Sequence, residues 1–150
     1  MSGYSGTPLA RKLGIKPDAH LVVLDMPEDF DLASIDSVSL IRTSLRGKAD
    51  VDVALVFCRT GVNLVRAFER VQSRLAPSGA LWIAWPKKAS GLETELTGDI
   101  VRSFGLDQGL VDNKVCAIDE IWSGLRFVIR TKDRARYAAH RKTTPRKGKS

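Results

Sequence analysis

Apolar positions along this chain follow two periods. Val51-Asp52-Val53-Ala54-Leu55-Val56-Phe57 is nearly continuous, the pattern of a parallel strand covered on both faces. Leu21-Val22-Val23-Leu24-Asp25 reads as an earlier strand of the same kind, and Ser37 to Ile41 as a weaker one with period-two spacing. Leu64, Phe68, Val71 and Leu75 instead recur four, three and four apart, one stripe of a helix that Pro77-Ser78-Gly79 terminates. Ala80 to Trp85 is the next strand, stopped by Pro86. Thr97 caps a helix through Phe104 that Gly105 closes. Lys114 to Ile118 and Leu125 to Ile129 pair as a hairpin turning at Ser123-Gly124. Before the first strand lies an arm, residues 1–19, with a helical turn from Leu9 to Leu13 ending at Gly14. Asp31 to Ile35 makes a short helix, and Arg46 to Asp50 a loop. The order predicts an α/β fold, a Rossmann-like doubly wound sheet with a closing antiparallel hairpin.

Charge divides the chain. Residues 130–150 hold nine Lys or Arg and one acid, giving +8, against +7 for all 150 residues; residues 1–129 therefore carry −1. The basic character belongs to the tail and not to the domain. The expected organisation is one α/β domain over 1–130 and a basic, partly disordered tail over 131–150. No apolar run has the roughly 18–20 residues of a membrane helix, and no signal peptide is read at the start, so the expectation is a cytoplasmic protein without a membrane partner. Cys58 and Cys116 read as buried free thiols, and His20 and His140 stand apart, so no metal site is expected.

The element order resembles the class I methyltransferase fold. The resemblance is carried by the strand with Asp52, the helix after it, and Leu75-Ala76-Pro77-Ser78-Gly79-Ala80-Leu81-Trp82-Ile83. Leu13-Gly14-Ile15-Lys16-Pro17-Asp18 resembles the lead-in to the first strand of such enzymes. At the level of longer motifs, four segments resemble a bacterial family, domain of unknown function 3052, over roughly residues 3–130. They are Tyr4 to Leu9, Lys12 to Ile15, Trp85-Pro86-Lys87-Lys88-Ala89-Ser90-Gly91, and Lys114 to Leu125. That likeness implies a bacterial setting and no particular reaction.

The candidate sites follow from where open α/β sheets bind ligands, at the carboxyl ends of strands beside the switch point. The loop after Leu24 offers Asp25, Glu28, Asp29 and Asp31; the loop after Phe57 offers Arg59, Thr60, Gly61 and Asn63; the loop after Trp85 offers Lys87, Lys88 and Ser90. Asp25 matches the acid that methyltransferases place after the first strand, but Met26-Pro27-Glu28-Asp29-Phe30 has none of the glycines that should follow. No cofactor is therefore expected. Trp85-Pro86-Lys87-Lys88 sits where amino-group methyltransferases carry an Asn/Asp-Pro-Pro-aromatic motif and lacks its amine acceptor. The ligand-binding set is Asp25, Arg59, Thr60, Trp85, Lys87, Lys88 and Ser90. The lysines suit an anionic ligand or form a solvated loop.

Lys114, Asp119, Glu120, Trp122 and Arg126 crowd the hairpin, either as a surface for a protein partner, as pairs for the arm, or as charges that protect an edge strand. Arg134, Arg136, Arg141, Lys142, Arg146 and Lys147 make the tail a solubilising segment or a weak, non-specific nucleic-acid contact. No nucleophile–base pair is legible, so no catalytic residue is assigned. The leading reading is a non-catalytic, methyltransferase-like binding or regulatory module. The alternatives are an atypical S-adenosylmethionine-dependent methyltransferase and tail-driven nucleic-acid association.

Overall fold

The structure, a computed structural model, describes residues 8–35, 37–45, 47 and 50–137. Six strands form one sheet: β1 (His20–Leu24), β2 (Leu40–Arg42), β3 (Val51–Phe57), β4 (Leu75–Pro86), β5 (Leu110–Ala117) and β6 (Trp122–Ile129). Their spatial order is β2-β1-β3-β4-β6-β5. The first four strands are parallel, and β6 runs antiparallel between β4 and β5. The order reverses at β1 and β3, which places the switch point between them.

Helices α1 (Leu9–Lys12), α2 (Gly61–Val71) and α3 (Gly98–Asp107) accompany the sheet. The core lies on both faces of the sheet, as near-continuous apolar strands require. One layer packs Leu64, Phe68 and Val71 of α2 and Val101 of α3 against Val56, Ile83 and Phe127. The other packs Leu9, Leu13 and Ile35 against Leu21, Leu55 and Trp82. Trp82 is fully buried and donates its indole N–H to the Leu13 carbonyl at 2.9 Å, which fastens the N-terminal arm to the sheet.

Several element limits differ from the sequence expectation, each for a non-local reason. Pro77-Ser78-Gly79 does not end the helix. It lies inside β4, where the register with β3 shifts between Val51 and Val53. A side chain on Gly79 would meet the Val51 and Asp52 carbonyls at 2.9 and 3.0 Å, so glycine lets the two backbones close on each other. α2 stops at Val71, and Leu75 already belongs to the strand. Gly105 does not close α3 but sits within it; a Cβ there would overlap the Phe127 ring. The helix gives way instead at Gly109, with φ +92°. The hairpin turns at Ile118–Ile121, held by Asp119 Oδ1, which accepts from the Ile121 and Trp122 N–H groups at 2.8 Å. Ser123 and Gly124 are strand residues. The second strand is Leu40–Arg42 and begins later than expected.

The start of the tail is part of the fold. A 3-10 turn, Thr131–Asp133, leads to helical residues 134–137. Tyr137 packs on the α2 side of the core, and Gln72 Nε2 donates to its hydroxyl at 3.2 Å. No helix among the described residues is long and apolar enough to cross a membrane.

Candidate functional site: a cleft at the carboxyl ends of β1 and β3

The switch point opens a cleft of about 470 Å³, lined by Asp25, Pro27, Glu28, Asp29, Phe57, Arg59, Asn63, Leu92 and Trp122. That volume lies in the range of small-molecule sites, roughly 300–1,000 Å³. Its floor is aromatic. Phe57 ends β3 and Trp122 begins β6, and their rings meet edge-to-face at 5.0 Å and 89°. Phe30 supports Phe57 from below at 5.0 Å. Phe57 and Leu92 carry no sequence signal of a site. They come together with Trp122 only through the β3–β4–β6 pairing and the loop before α3.

One wall is acidic. Asp25 is exposed directly after β1 and has φ +57°, the one left-handed non-glycine among the described residues. Its short polar side chain tolerates that conformation better than other side chains. The turn that glycine usually makes is made here by aspartate. Asp25 Oδ2 pairs with Arg70 of α2 at 3.1 Å, both side chains remaining substantially exposed. Glu28 and Asp29 are exposed beside it.

The opposite wall is the start of α2, where the Gly61 and Asn63 N–H groups are already occupied. Thr60 caps the helix in a capping box: its Oγ1 accepts from Asn63 N–H at 3.1 Å, and Asn63 Oδ1 accepts from Thr60 N–H at 3.2 Å. Glu95 Oε1 accepts from Gly61 N–H at 2.7 Å. A carboxylate of the protein therefore occupies the helix N-terminus that would otherwise attract an anionic ligand. Arg59 is also tethered, its Nε donating to the Glu93 carbonyl at 2.9 Å.

Cys58 lies behind this wall, 1 % exposed. Burial pushes its thiol up to about 12 and the Asp25 carboxylate adds to the rise, while Arg70 opposes it. It is a core thiol and not a nucleophile.

The structure thus brings Asp25 and Arg59 to one cleft, with Thr60 fixing the helix beside them. It does not bring Trp85, Lys87, Lys88 or Ser90 there. Trp85 is buried on the opposite core layer, where its ring lies 3.5 Å from the position of a Cβ on Gly98. The Lys87 N–H donates to the Ile121 carbonyl of the hairpin turn, and Ser90 Oγ donates to the Lys87 carbonyl. The turn thereby closes over the end of β4. Lys87 and Lys88 do not line the cleft, and among its lining residues carboxylates outnumber the single arginine.

The hairpin set divides as well. Trp122 joins the cleft floor, Asp119 builds the turn, and Glu120 is exposed on it. Lys114 and Arg126 face the arm. In the tail, Arg136 pairs with Asp133 at 3.3 Å and Arg134 Nε donates to the Ile129 carbonyl. Arg141, Lys142, Arg146 and Lys147 lie outside the described residues, as does His140. No cluster of three His, Cys, Asp or Glu that suits a metal occurs among the described residues.

Comparison with known proteins gives the fold. No protein-family model matches the chain, and no curated protein matches it in sequence. Solved structures do. A SAM-dependent methyltransferase from Aquifex aeolicus is similar with a TM-score of 0.50 and 10% identity, over 79% of this chain and 86% of that one. An rRNA methylase from Streptococcus thermophilus is similar with a TM-score of 0.50 and 11% identity, over 85% and 100%. The chain has a class I methyltransferase-like, Rossmann-like fold; identities this low carry the fold and not the activity.

Proposed function

We propose that this chain is a non-catalytic binding or regulatory module that uses the cleft of a methyltransferase-like scaffold without S-adenosylmethionine. The observation that carries the reading is the exit from β1. A cofactor-binding turn there needs glycines so that the backbone can approach the ligand. The segment is Asp25-Met26-Pro27-Glu28-Asp29-Phe30, with a proline that lacks an N–H and a phenylalanine buried in the core. The end of β2 points the same way. Nucleoside-binding folds place an acid there for the ribose hydroxyls, and this chain has Arg42-Thr43-Ser44. The residues present do not fit the cofactor.

The cleft's carboxylates and aromatic floor favour a ligand with an apolar body and a positive charge over the anion expected from Lys87 and Lys88. Membership of the domain of unknown function 3052 family is part of the proposal and stands on the four sequence motifs. An atypical methyltransferase is favoured by the fold likeness alone. Nucleic-acid association through the tail is favoured by its charge alone.

Calorimetry or thermal shift with S-adenosylmethionine and S-adenosylhomocysteine tests the proposal. A ligand at a hundredfold excess over its Kd stabilises by about 2.7 kcal/mol. The expected result is no dose-dependent shift. A shift of that order, lost in Asp25→Ala, establishes the methyltransferase reading instead.

A further inference from the structure

Trp122 is 4% exposed, yet its indole N–H has no acceptor among the described residues. Trp82 is the contrast, because its indole donates to the Leu13 carbonyl. The Trp122 N–H is also not sealed in the core: the fully buried side-chain nitrogens without a partner belong to His20, Arg126 and Arg130. It therefore meets solvent, and the small surface that Trp122 offers to solvent lines the cleft. A buried tryptophan ordinarily finds a partner for this donor. Here the cleft is where an acceptor can reach it.

Three further features share the cleft with that donor. Phe57 and Leu92 extend the apolar floor beside the Trp122 ring. Glu28 and Asp29 contribute exposed carboxylates whose side chains have no hydrogen-bond or ion-pair partner among the described residues. Arg59 is tethered through Nε to the Glu93 carbonyl, and its terminal nitrogens have no acceptor among the described residues. A simple amine would satisfy the carboxylates and the floor and leave the indole without an acceptor. A simple carboxylic acid would satisfy the donors and leave the carboxylates without a cation. A ligand that carries an ammonium and a carbonyl oxygen on one apolar body satisfies all of them.

We propose that the cleft binds an α-amino-acyl group with an apolar side chain. Its ammonium lies against Glu28 and Asp29, its carbonyl or carboxylate oxygen accepts from the Trp122 indole N–H, and its side chain rests on Phe57 and Leu92. The group is that of a free amino acid or of the first residue of a peptide. The proposal rests on the reading of the cleft as a binding site without S-adenosylmethionine, and adds the class of ligand to it.

The full chain is titrated by calorimetry with phenylalanine, phenylalaninamide, phenylethylamine and N-acetylphenylalanine at matched ionic strength. The pH is held near about 6, where a free α-amino group is charged. All four carry the same ring; phenylethylamine lacks the oxygen, and N-acetylphenylalanine lacks the ammonium. The expected result is one saturable equivalent of phenylalanine or its amide, with phenylethylamine and N-acetylphenylalanine each weaker by about tenfold. Phenylalanine tighter than its amide assigns the free amino acid, whose carboxylate Arg59 reads; an amide as tight or tighter assigns a peptide terminus. Glu28→Gln combined with Asp29→Asn should weaken binding by about tenfold, and both side chains are exposed, so this variant folds. Trp122→Phe keeps a ring and removes the donor, so it should weaken phenylalanine and leave phenylethylamine unchanged. Phenylethylamine binding as tightly as phenylalanine overturns the amino-acyl proposal and leaves the cation-binding cleft standing. Binding unchanged in the carboxylate variant, or no binding by any of the four, also overturns the proposal. A thermal shift with S-adenosylmethionine while none of the four binds overturns the underlying reading with it.

Discussion

The two cysteines stand in opposite fields, and the contrast separates the cleft end of the sheet from the hairpin face that packs on the arm. Cys58 lies behind the cleft, where the Asp25 carboxylate adds to the effect of burial and the thiol reaches about 12. Cys116 lies on the arm face, where burial again raises the thiol but Lys12 and Lys114 oppose it. The carboxyl end of the sheet is therefore acidic over an aromatic floor, while the arm-facing side of the hairpin presents Lys114 and Arg126. The net charge of −1 over the first 129 residues therefore averages local fields of opposite sign.

The largest effect that sharpens this comparison comes from the tryptophans beneath the two surfaces. Trp82 is fully buried under the arm face, and Trp122 forms the cleft floor at 4% exposure. Trp82→Ala is expected to cost about 3–5 kcal/mol in urea denaturation, the usual range for removing a core aromatic. It also releases the bond to the Leu13 carbonyl, so hydrogen exchange over residues 8–19 should accelerate beyond the global loss. Trp122→Ala should lose comparable stability while leaving the arm better protected, because the bond to the Leu13 carbonyl is made by Trp82, whereas Trp122 meets Phe57 edge-to-face. Equal release of the arm in both variants would show that the cleft floor and the arm are held as one unit.

How much of this was legible in the sequence depends on whether the cause is local. β3 and the stripe of α2 follow from periodicity because each buries its own face. Thr97 and the α1 turn ending at Gly14 follow from capping chemistry. The misread glycines are those whose reason lies across the fold. Gly79 approaches β3, Gly105 makes room for Phe127, and Gly124 makes room for Ile118 and Trp82. Each looks like a breaker in one dimension and is a close approach in three. The site divides in the same way. Asp25 and Arg59 are found by the switch-point rule. Phe57 and Trp122 are 65 positions apart and meet only through strand pairing. Lys87 and Lys88 fall on the expected strand end, but the hairpin turn covers it, which no local pattern records.

A second, smaller effect is the alkaline response of Cys58. The folded thiol near 12 stays protonated while the unfolded thiol, at its ordinary 9.0, ionises. The unfolded state therefore loses its proton first, and stability falls as pH rises from about 9 towards 12. At pH 10 the loss is about 1.4 kcal/mol, one pKa unit of linkage. The measurement is the difference in urea stability between the unmodified chain and Cys58→Ala at pH 8 and pH 10. The unmodified chain should lose more by roughly that amount. An equal loss in both would place the thiol in an ordinary environment and remove the cleft-side half of the contrast.

The smallest effect tests whether Asp25 is retained for its backbone or its charge. Its φ of +57° is costly for a side chain with no local hydrogen-bonding capacity, by about 1–2 kcal/mol for an ordinary residue. Its ion pair with Arg70 is half-exposed, and such pairs contribute only about 0–1 kcal/mol. Asp25→Gly removes the charge and keeps the conformation easy, so its urea midpoint should stay near that of the unmodified chain. Asp25→Ala removes the charge and places a methyl group in the left-handed region, so it should be less stable than Asp25→Gly by about 1 kcal/mol. Both variants remove the carboxylate that acts on Cys58, so both should flatten the alkaline response by a similar amount. The two readouts therefore separate. Stability that distinguishes glycine from alanine reports the turn, and a thiol response that does not distinguish them reports the field. If alanine matches glycine in stability, the left-handed turn is not what aspartate supplies after β1, and the charge on the cleft wall becomes the reason for its place there.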